Sequence, residues 1–465
     1  MRKPHVPAAL RWLVAAVALC GTAWALLVPA WQVPDEDAHF AYVQTLVELG
    51  RRPADDGRSA EKSTEQYLAE QASGFLDSVQ RLEERPEWSP AAERRWRARE
   101  RTLSRAARED GGGALSSRGN PPGYYLYAMV PYLAARRGTV LDRLYLMRLF
   151  SVPLTMLFAV SGWLLAGELL GRDRCAQLAA GALCGLAPMA GFIGGGVTPD
   201  ALLFPLWGFA LWLSMRVLRR RARMVDLAFL AAVLLAALAV KPVSAALLPG
   251  VVWAMGAGLW RRSGRPPVSA RSVAAVVGAL AFSASVAAAL LVPGGPRRFA
   301  SYLWQFYSPV DAGAQPVRQL PAWPLRDIWW EGTVGAFGWL EVRFPGWVYA
   351  AVAAVAALVV VGAGRALIAA GPRRHAATSL ALALPALTLL AGLHLTEEWL
   401  LVEQGEGFSQ GRYLLPLLPL AGLALGASIR ACRSDRRGIA LGAALGVLSA
   451  TQLASLAIVT ARFYA

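Results

Sequence analysis

The chain has 465 residues, 56% of them hydrophobic and only 17% charged, with a mean hydropathy of +0.40 and a formal net charge of +16. A soluble domain carries about 25% charged residues, and a disordered chain lacks apolar bulk, so neither class fits. Long apolar segments separated by short basic stretches do fit, as in a multi-spanning helical membrane protein.

The chain opens with Arg2, Lys3 and Arg11 ahead of an apolar run from Leu13 to Ala30, too long for a signal peptide and therefore read as a first membrane span. Eleven spans are expected, at 8–30, 144–170, 175–196, 200–218, 225–241, 243–261, 268–292, 347–367, 376–396, 411–430 and 438–461. The apolar segment 121–135 is a further candidate, and the positive-inside rule decides against it. If it lies on the surface, the basic clusters at Arg172/Arg174, Arg216–Arg223, Arg261–Arg265, Arg373/Arg374 and Arg430–Arg437 all share the side of Arg2 and Lys3. That side is then cytoplasmic, the C-terminus is external, and 31–143, 293–346 and 397–410 lie outside the cell.

Residues 31–142 hold 18 acidic and 16 basic side chains, whereas the rest of the chain holds 13 acidic and 31 basic ones. The positive surplus thus belongs to the cytoplasmic loops, where it orients the protein, and it does not imply nucleic acid. Within the first external loop, 81–110 has helical composition, with Glu–Arg neighbours at helical spacing and Trp88 and Trp96 as apolar contacts. Short amphipathic helices on the outer membrane face are expected there. The four cysteines, Cys20, Cys175, Cys184 and Cys432, show neither metal spacing nor a disulfide framework.

The residues able to carry chemistry gather near the outer ends of spans. Asp35, Glu36 and Asp37 follow Pro34 where the first span ends. Three neighbouring carboxylates repel one another, and one of them suits a general base; equally, a proline and acids in a first turn are ordinary helix-start chemistry. His39 beside them suits a proton carrier or a metal ligand. Asp200 in Gly196-Val197-Thr198-Pro199-Asp200 reads either as a site acid or as part of a helix start capped by Thr198. Lys241, one of three lysines in the chain, stands beside Pro242, as a phosphate ligand or as a lysine reaching for the interface. Arg412 and Arg148 suit a bidentate phosphate clamp or a headgroup anchor. No P-loop, GxSxG, HExxH or dinucleotide fingerprint occurs, so ATP-driven chemistry has no support.

In order along the chain stand Pro34-Asp35-Glu36-Asp37-Ala38-His39-Phe40, Asn120-Pro121-Pro122-Gly123-Tyr124-Tyr125, Thr198-Pro199-Asp200, Lys241-Pro242, Phe337-Gly338-Trp339-Leu340-Glu341 and Gln410-Gly411-Arg412-Tyr413. This series resembles the GT-C superfamily of integral-membrane glycosyltransferases, and most closely a bacterial family known as domain of unknown function 2142. The resemblance implies an all-α polytopic membrane protein, a GT-C-like bundle of about eleven helices with a large first external loop, in the bacterial inner membrane. It implies sugar transfer from a polyprenyl-phosphate donor to a glycan, lipid or protein acceptor on the external face. Asp35 and Glu36 match the superfamily's Asp-Glu pair, which implies the acceptor-activating base; a divalent metal on these two is allowed but not required. Asp200 and Lys241 match an acid and a lysine of aminoarabinose transferases. With Arg412, Tyr413 and Arg148 they are the expected donor-phosphate residues, while His39, Asp37, Asn120, Tyr124, Tyr125 and Trp339 are expected to support the acceptor or the loop. Asp37 departs from the family pattern by adding a third acid. The competing expectation is a transporter or lipid-carrier flippase, which calls for ionisable residues at mid-span depth.

Overall fold

The computed structural model describes residues 6–264 and 294–464, apart from 58, 82–88 and 221, with four scattered positions between 265 and 293. The expected span 268–292 and Trp88 lie outside the described residues.

Eight described helical segments are long and apolar enough to cross a membrane. They are α1 (Ala8–Leu27), α8 (Val140–Leu169), α11 (Pro199–Arg219), α13 (Leu248–Arg262) with its 3-10 lead Pro242–Leu247, α16 (Gly346–Ala370), α17 (Pro372–Glu403), α18 (Leu418–Ala431) with its 3-10 lead Gly411–Leu417, and α19 (Arg437–Tyr464). A ninth is bent. α9 (Arg174–Leu186) and α10 (Pro188–Gly194) meet at 52°, where one continuous span over 175–196 was expected. The break follows from Pro188, which lacks an N–H and drives Ala187 into the extended region at ψ 129°. α12 (Met224–Val240) is apolar and slightly shorter, at 17 residues.

Caps set where several of these helices begin. Thr139 and Asp142 form a reciprocal capping box on α8, and the Asp173 carboxylate accepts the Ala176 amide at the start of α9. Thr198 accepts the Asp200 amide with Pro199 in the first position of α11, as the sequence suggests. Small residues let the helices close on one another. A Cβ at Gly422 or Gly426 of α18 would meet the carbonyls of Ala180 or Ala176 on α9 at 2.8 Å, and one at Gly208 of α11 would collide with Ser161 of α8.

The segment between α1 and α8 folds as a cap on one end of the bundle. It contains α2 (Glu36–Leu49), α3 (Thr64–Ala72), α4 (Phe75–Gln80), α5 (Pro90–Glu100), α6 (Ala106–Glu109) and α7 (Gly123–Ala134). α7 is the debated segment 121–135. Its 12 residues reach about 18 Å, too short to cross about 30 Å of hydrocarbon. Instead it packs against α2, α8 and α12, so closely that a Cβ at Gly123 would strike the Ala239 carbonyl. The helical piece expected over 81–110 is divided into α5 and α6, with Trp96 buried beneath α5. Further on, α14 (Gly295–Tyr307), a π-helical turn Leu325–Trp330, α15 (Glu331–Val334) and a two-residue hairpin pairing Ala336–Phe337 with Val342–Arg343 precede α16.

Buried ion pairs fasten the cap. Glu65 on α3 accepts Arg143 of α8 and Arg108, each at 2.7 Å, and Lys62 bridges Asp37 at 2.5 Å and Glu70 at 2.8 Å. Burial pushes the Glu70 carboxyl up to about 7; Lys62 opposes the shift and Asp37 adds to it. Burial likewise raises Glu100 to about 7, with Glu65 adding and the Val140 amide and Arg143 opposing. Both acids favour their proton in the folded state. Their stabilisation is therefore full below the unfolded carboxyl value and is lost as pH rises through about 7. We predict that the thermal midpoint of the detergent-solubilised protein falls between pH 5 and pH 8. The double variant Glu70→Gln/Glu100→Gln should flatten that slope.

Candidate functional site

The first span ends at Leu27, and the chain turns through Pro29 to Pro34 before α2. Asp35 occupies the position before α2 with a left-handed backbone, φ 61°. That conformation costs a non-glycine residue energy and turns its side chain away from capping: no helix amide bonds to it. Its carboxylate instead pairs with Arg412, whose guanidinium also donates to the Pro34 carbonyl at 3.3 Å. A separation of 377 residues is thus closed by a single ion pair.

Arg412 lies in the 3-10 lead of α18 and is buried, with 4% exposure. Beside it, Lys241 donates to Asp200 at 2.7 Å. Lys241 ends α12 in an extended conformation because Pro242 follows it. The Tyr413 ring carries both cations, 5.3 Å from Lys241 and 5.4 Å from Arg412, and stacks on Phe408 at 5.5 Å. Together these groups wall a cavity of about 130 Å³, lined by Asp200, Lys241, Arg412, Tyr413 and Phe408 with apolar Leu203 and Leu393. Arg412 Nε is buried there without a hydrogen-bond partner.

Burial works to raise the Asp35 carboxyl, but Arg412, His39 and Lys241 outweigh it and hold the group below the usual carboxylate range. Of the entrance acids Asp35 is the exposed one, with a side chain 42% open. His39, one turn along α2, lies close enough to feel the charges of Asp35, Asp200, Lys241 and Arg412. Burial drives its imidazole down to about 4, so it is neutral at neutral pH. Its Nδ1 meets the Tyr125 hydroxyl at 3.0 Å, and the Asn120 amide donates to that same hydroxyl at 3.0 Å. Tyr125 is held by Tyr42, stacked at 3.6 Å and nearly parallel, and by Tyr124 edge-on.

Other expected residues go elsewhere. Glu36 turns away from the cavity into the bundle, where it is wholly buried. It accepts Arg148 Nε at 2.7 Å, the Val197 amide at 3.0 Å and the Trp31 amide at 3.1 Å. Arg148, also wholly buried, spends its remaining donors on the Val28 and Pro29 carbonyls at 2.5 and 2.9 Å. Neither residue lines the cavity. Asp37 is taken by Lys62, and Trp339 donates to the Trp31 carbonyl at 3.3 Å, pinning the hairpin to the end of the first span. Asp35 and Glu36 therefore point to different partners. Each entrance acid, like Asp200, already holds a cation, and among the described residues no three histidines, cysteines or acids converge. This donor set does not fit a metal ion at Asp35 and Glu36.

Several neighbours were not singled out from the sequence. Lys62 had a signal in the rarity of lysine. Tyr42, Phe408 and Leu393 had none beyond being apolar, because only the packing of distant segments brings them here.

Removing one member of a buried ion pair leaves the other charged and unpaired, at a cost of about 3–5 kcal/mol. We predict that Glu36→Gln and Arg148→Met each lower the thermal midpoint sharply. The combined variant should recover part of the loss. Arg412→Gln, whose partner Asp35 reaches water, should cost much less stability.

Residues 18–421 match the family model described as predicted membrane protein, DUF2142. No curated protein and no solved structure matches the chain. The match takes in the second half of the first span, the cap, Asp200, Lys241 and Arg412, so every residue of the cavity described above falls within it. The chain belongs to the DUF2142 family of predicted membrane proteins.

Proposed function

We propose that the protein is a glycosyltransferase that moves a sugar from a polyprenyl-phosphate donor to a cell-envelope acceptor at the capped face. The observation that carries this reading is the meeting of Asp200, Lys241 and Arg412, far apart in sequence, at one cavity beside an apolar groove, with Asp35 held to it through Arg412. The groove is about 720 Å³ and is walled by Trp329, Trp330, Tyr349, Ala350, Ala353 and Leu414. Leu414 joins the groove to the cavity wall at Tyr413, and Gly411 packs against Gly332 at the same junction. An apolar groove next to two cations, Arg412 buried and Lys241 half-buried, suits an amphiphile with one anionic head.

In this reading the lipid phosphate rests against Arg412 and Lys241, and the lipid chain runs along the groove. Their preorganised positive charge stabilises the phosphate as it departs. The acceptor approaches over the exposed carboxylate of Asp35, which accepts a hydrogen bond from the acceptor hydroxyl and takes its proton. The sugar–phosphate bond breaks with its electron pair on the phosphate oxygen while the acceptor oxygen bonds to the sugar. Neutral His39, bonded to the Tyr125 hydroxyl that Asn120 also holds, keeps the wall next to Asp35 rigid. The chemistry needs no metal, because two protein cations already meet the leaving charge.

The orientation has its own support. Arg220 with Glu168, Arg437 with Asp173 and Arg430 with the Leu170 carbonyl gather at the end of the bundle opposite the cap. By the positive-inside rule that end faces the cytoplasm, and the cap faces the periplasm of the inner membrane. The ion pairs at the cavity lie at a helix-end level, which favours an external reaction site over a translocation path.

The test has two arms. Purified protein should bind undecaprenyl phosphate, with Arg412→Ala and Lys241→Ala each weakening binding by about 10- to 100-fold, the loss of one charge-assisted contact. Cells lacking the gene should show an altered envelope glycan by mass spectrometry, restored by the wild type and not by Asp35→Asn at equal expression. Normal glycans in the deletion strain would sink the reading.

A further inference from the structure

Both cations of the cavity already hold an acid of the chain itself: Lys241 holds Asp200, and Arg412 holds Asp35. The two pairs are not alike. Asp200 lies on the cavity wall with a side chain 4% exposed, whereas the Asp35 side chain is 42% open and stands outside that wall. A buried carboxylate stripped of its cation is left uncompensated, at a large cost. A carboxylate open to water can exchange its partner for solvent with little penalty. Of the two pairs, the one that can open is therefore Asp35 with Arg412.

Arg412 stays in place through such an exchange. Its guanidinium also donates to the Pro34 carbonyl at 3.3 Å and lies 5.4 Å from the centre of the Tyr413 ring. The backbone of Asp35 is held as well, because the His39 amide donates to its carbonyl at 3.0 Å. Only the carboxylate has to turn. Arg412 thus serves two sides: it walls the cavity, and it ties down a carboxylate outside it. Against the pull of burial, Arg412 leads the charges that hold the Asp35 carboxyl below its usual range. A carboxylate so held accepts a proton poorly.

We propose that the Asp35–Arg412 pair is a latch that an anionic lipid headgroup opens: a phosphate entering the cavity competes with the Asp35 carboxylate for Arg412, and the freed carboxylate becomes available to the acceptor. The proposal rests on the transferase reading for the identity of the headgroup and adds an order to it, donor phosphate first and acceptor second. An acceptor that arrives early meets a carboxylate already engaged. By linkage, the phosphate and the ionised Asp35 each weaken the other's hold on Arg412 by the same factor.

The experiment measures binding of undecaprenyl phosphate to the full-length protein in detergent by titration calorimetry. Asp35→Asn keeps the size of the side chain, and asparagine tolerates the left-handed backbone at this position. This variant should bind undecaprenyl phosphate at least about tenfold more tightly than the wild type, the scale of a coupling between two sites. Undecaprenol, the same chain without its phosphate, should bind both proteins alike. Asp37→Asn removes a neighbouring negative charge that belongs to Lys62, and it should leave the affinity for the phosphate unchanged. Equal or weaker binding by Asp35→Asn, a gain shared by undecaprenol, or the same gain in Asp37→Asn would overturn the latch. Binding by Asp35→Asn alone, with none by the wild type, would support it. No binding by either protein would overturn it together with the donor assignment. Tighter binding by Asp35→Asn, in a protein whose deletion leaves envelope glycans normal, would uphold the latch and remove the transferase reading alone.

Discussion

Glu36 and Arg148 meet with no access to water, and the capped end of the protein is organised around them. A charge in that setting is tolerated only if it is paired and its remaining hydrogen-bonding groups are filled. Here the filling groups come from three places besides the start of α2 that carries Glu36: the end of α1 through Val28 and Pro29, the turn at Trp31, and Val197 beyond the bend between α9 and α10. The pair therefore ties together segments that would otherwise splay. Because it fixes the start of α2, it also fixes the direction in which Asp35 leaves the chain.

That coupling explains how three successive acids come to do different things. Glu36 points inward to Arg148, Asp37 turns to Lys62 in the cap, and Asp35, in a left-handed turn, reaches Arg412. Three carboxylates side by side would repel one another; each is instead discharged against its own cation. The Pro188 break performs a related service. It ends a helix early enough for the Gly194–Gly196 stretch to pack against Thr155, Trp24 and Val33, which brings the Val197 amide to Glu36. A straight span over the same residues would carry that amide inside a helix, unavailable as a donor.

Around this anchor the protein repeats one solution. Lys241 ends a helix before a proline and answers Asp200; Arg412 begins a 3-10 turn and answers Asp35; Tyr413 lies against both cations. Interrupted helices supply free backbone and outward-facing side chains at the membrane boundary, where a regular helix would bury both. The cavity is therefore built from helix ends, and its polar wall and the neighbouring apolar groove share the segment from Gly411 to Leu414.

Composition and periodicity alone determined the class of the protein, most of its spans and the place of its proline and threonine helix starts. Those follow from local rules: apolar length, capping side chains and the missing amide of proline. The short α7 was legible in the same way, through the sidedness of arginine. What the sequence did not determine is which acid meets which cation. Asp35, Glu36 and Asp37 are neighbours with the same chemistry, and their partners lie 377, 112 and 25 residues away. Pairing of that kind depends on how the helices pack and on a backbone turn at Asp35 that no local pattern specifies. For the same reason Arg148 and Arg412 are alike in sequence terms, yet one is fully consumed inside the bundle and the other keeps a free donor at a cavity. Only the tertiary structure decides that difference.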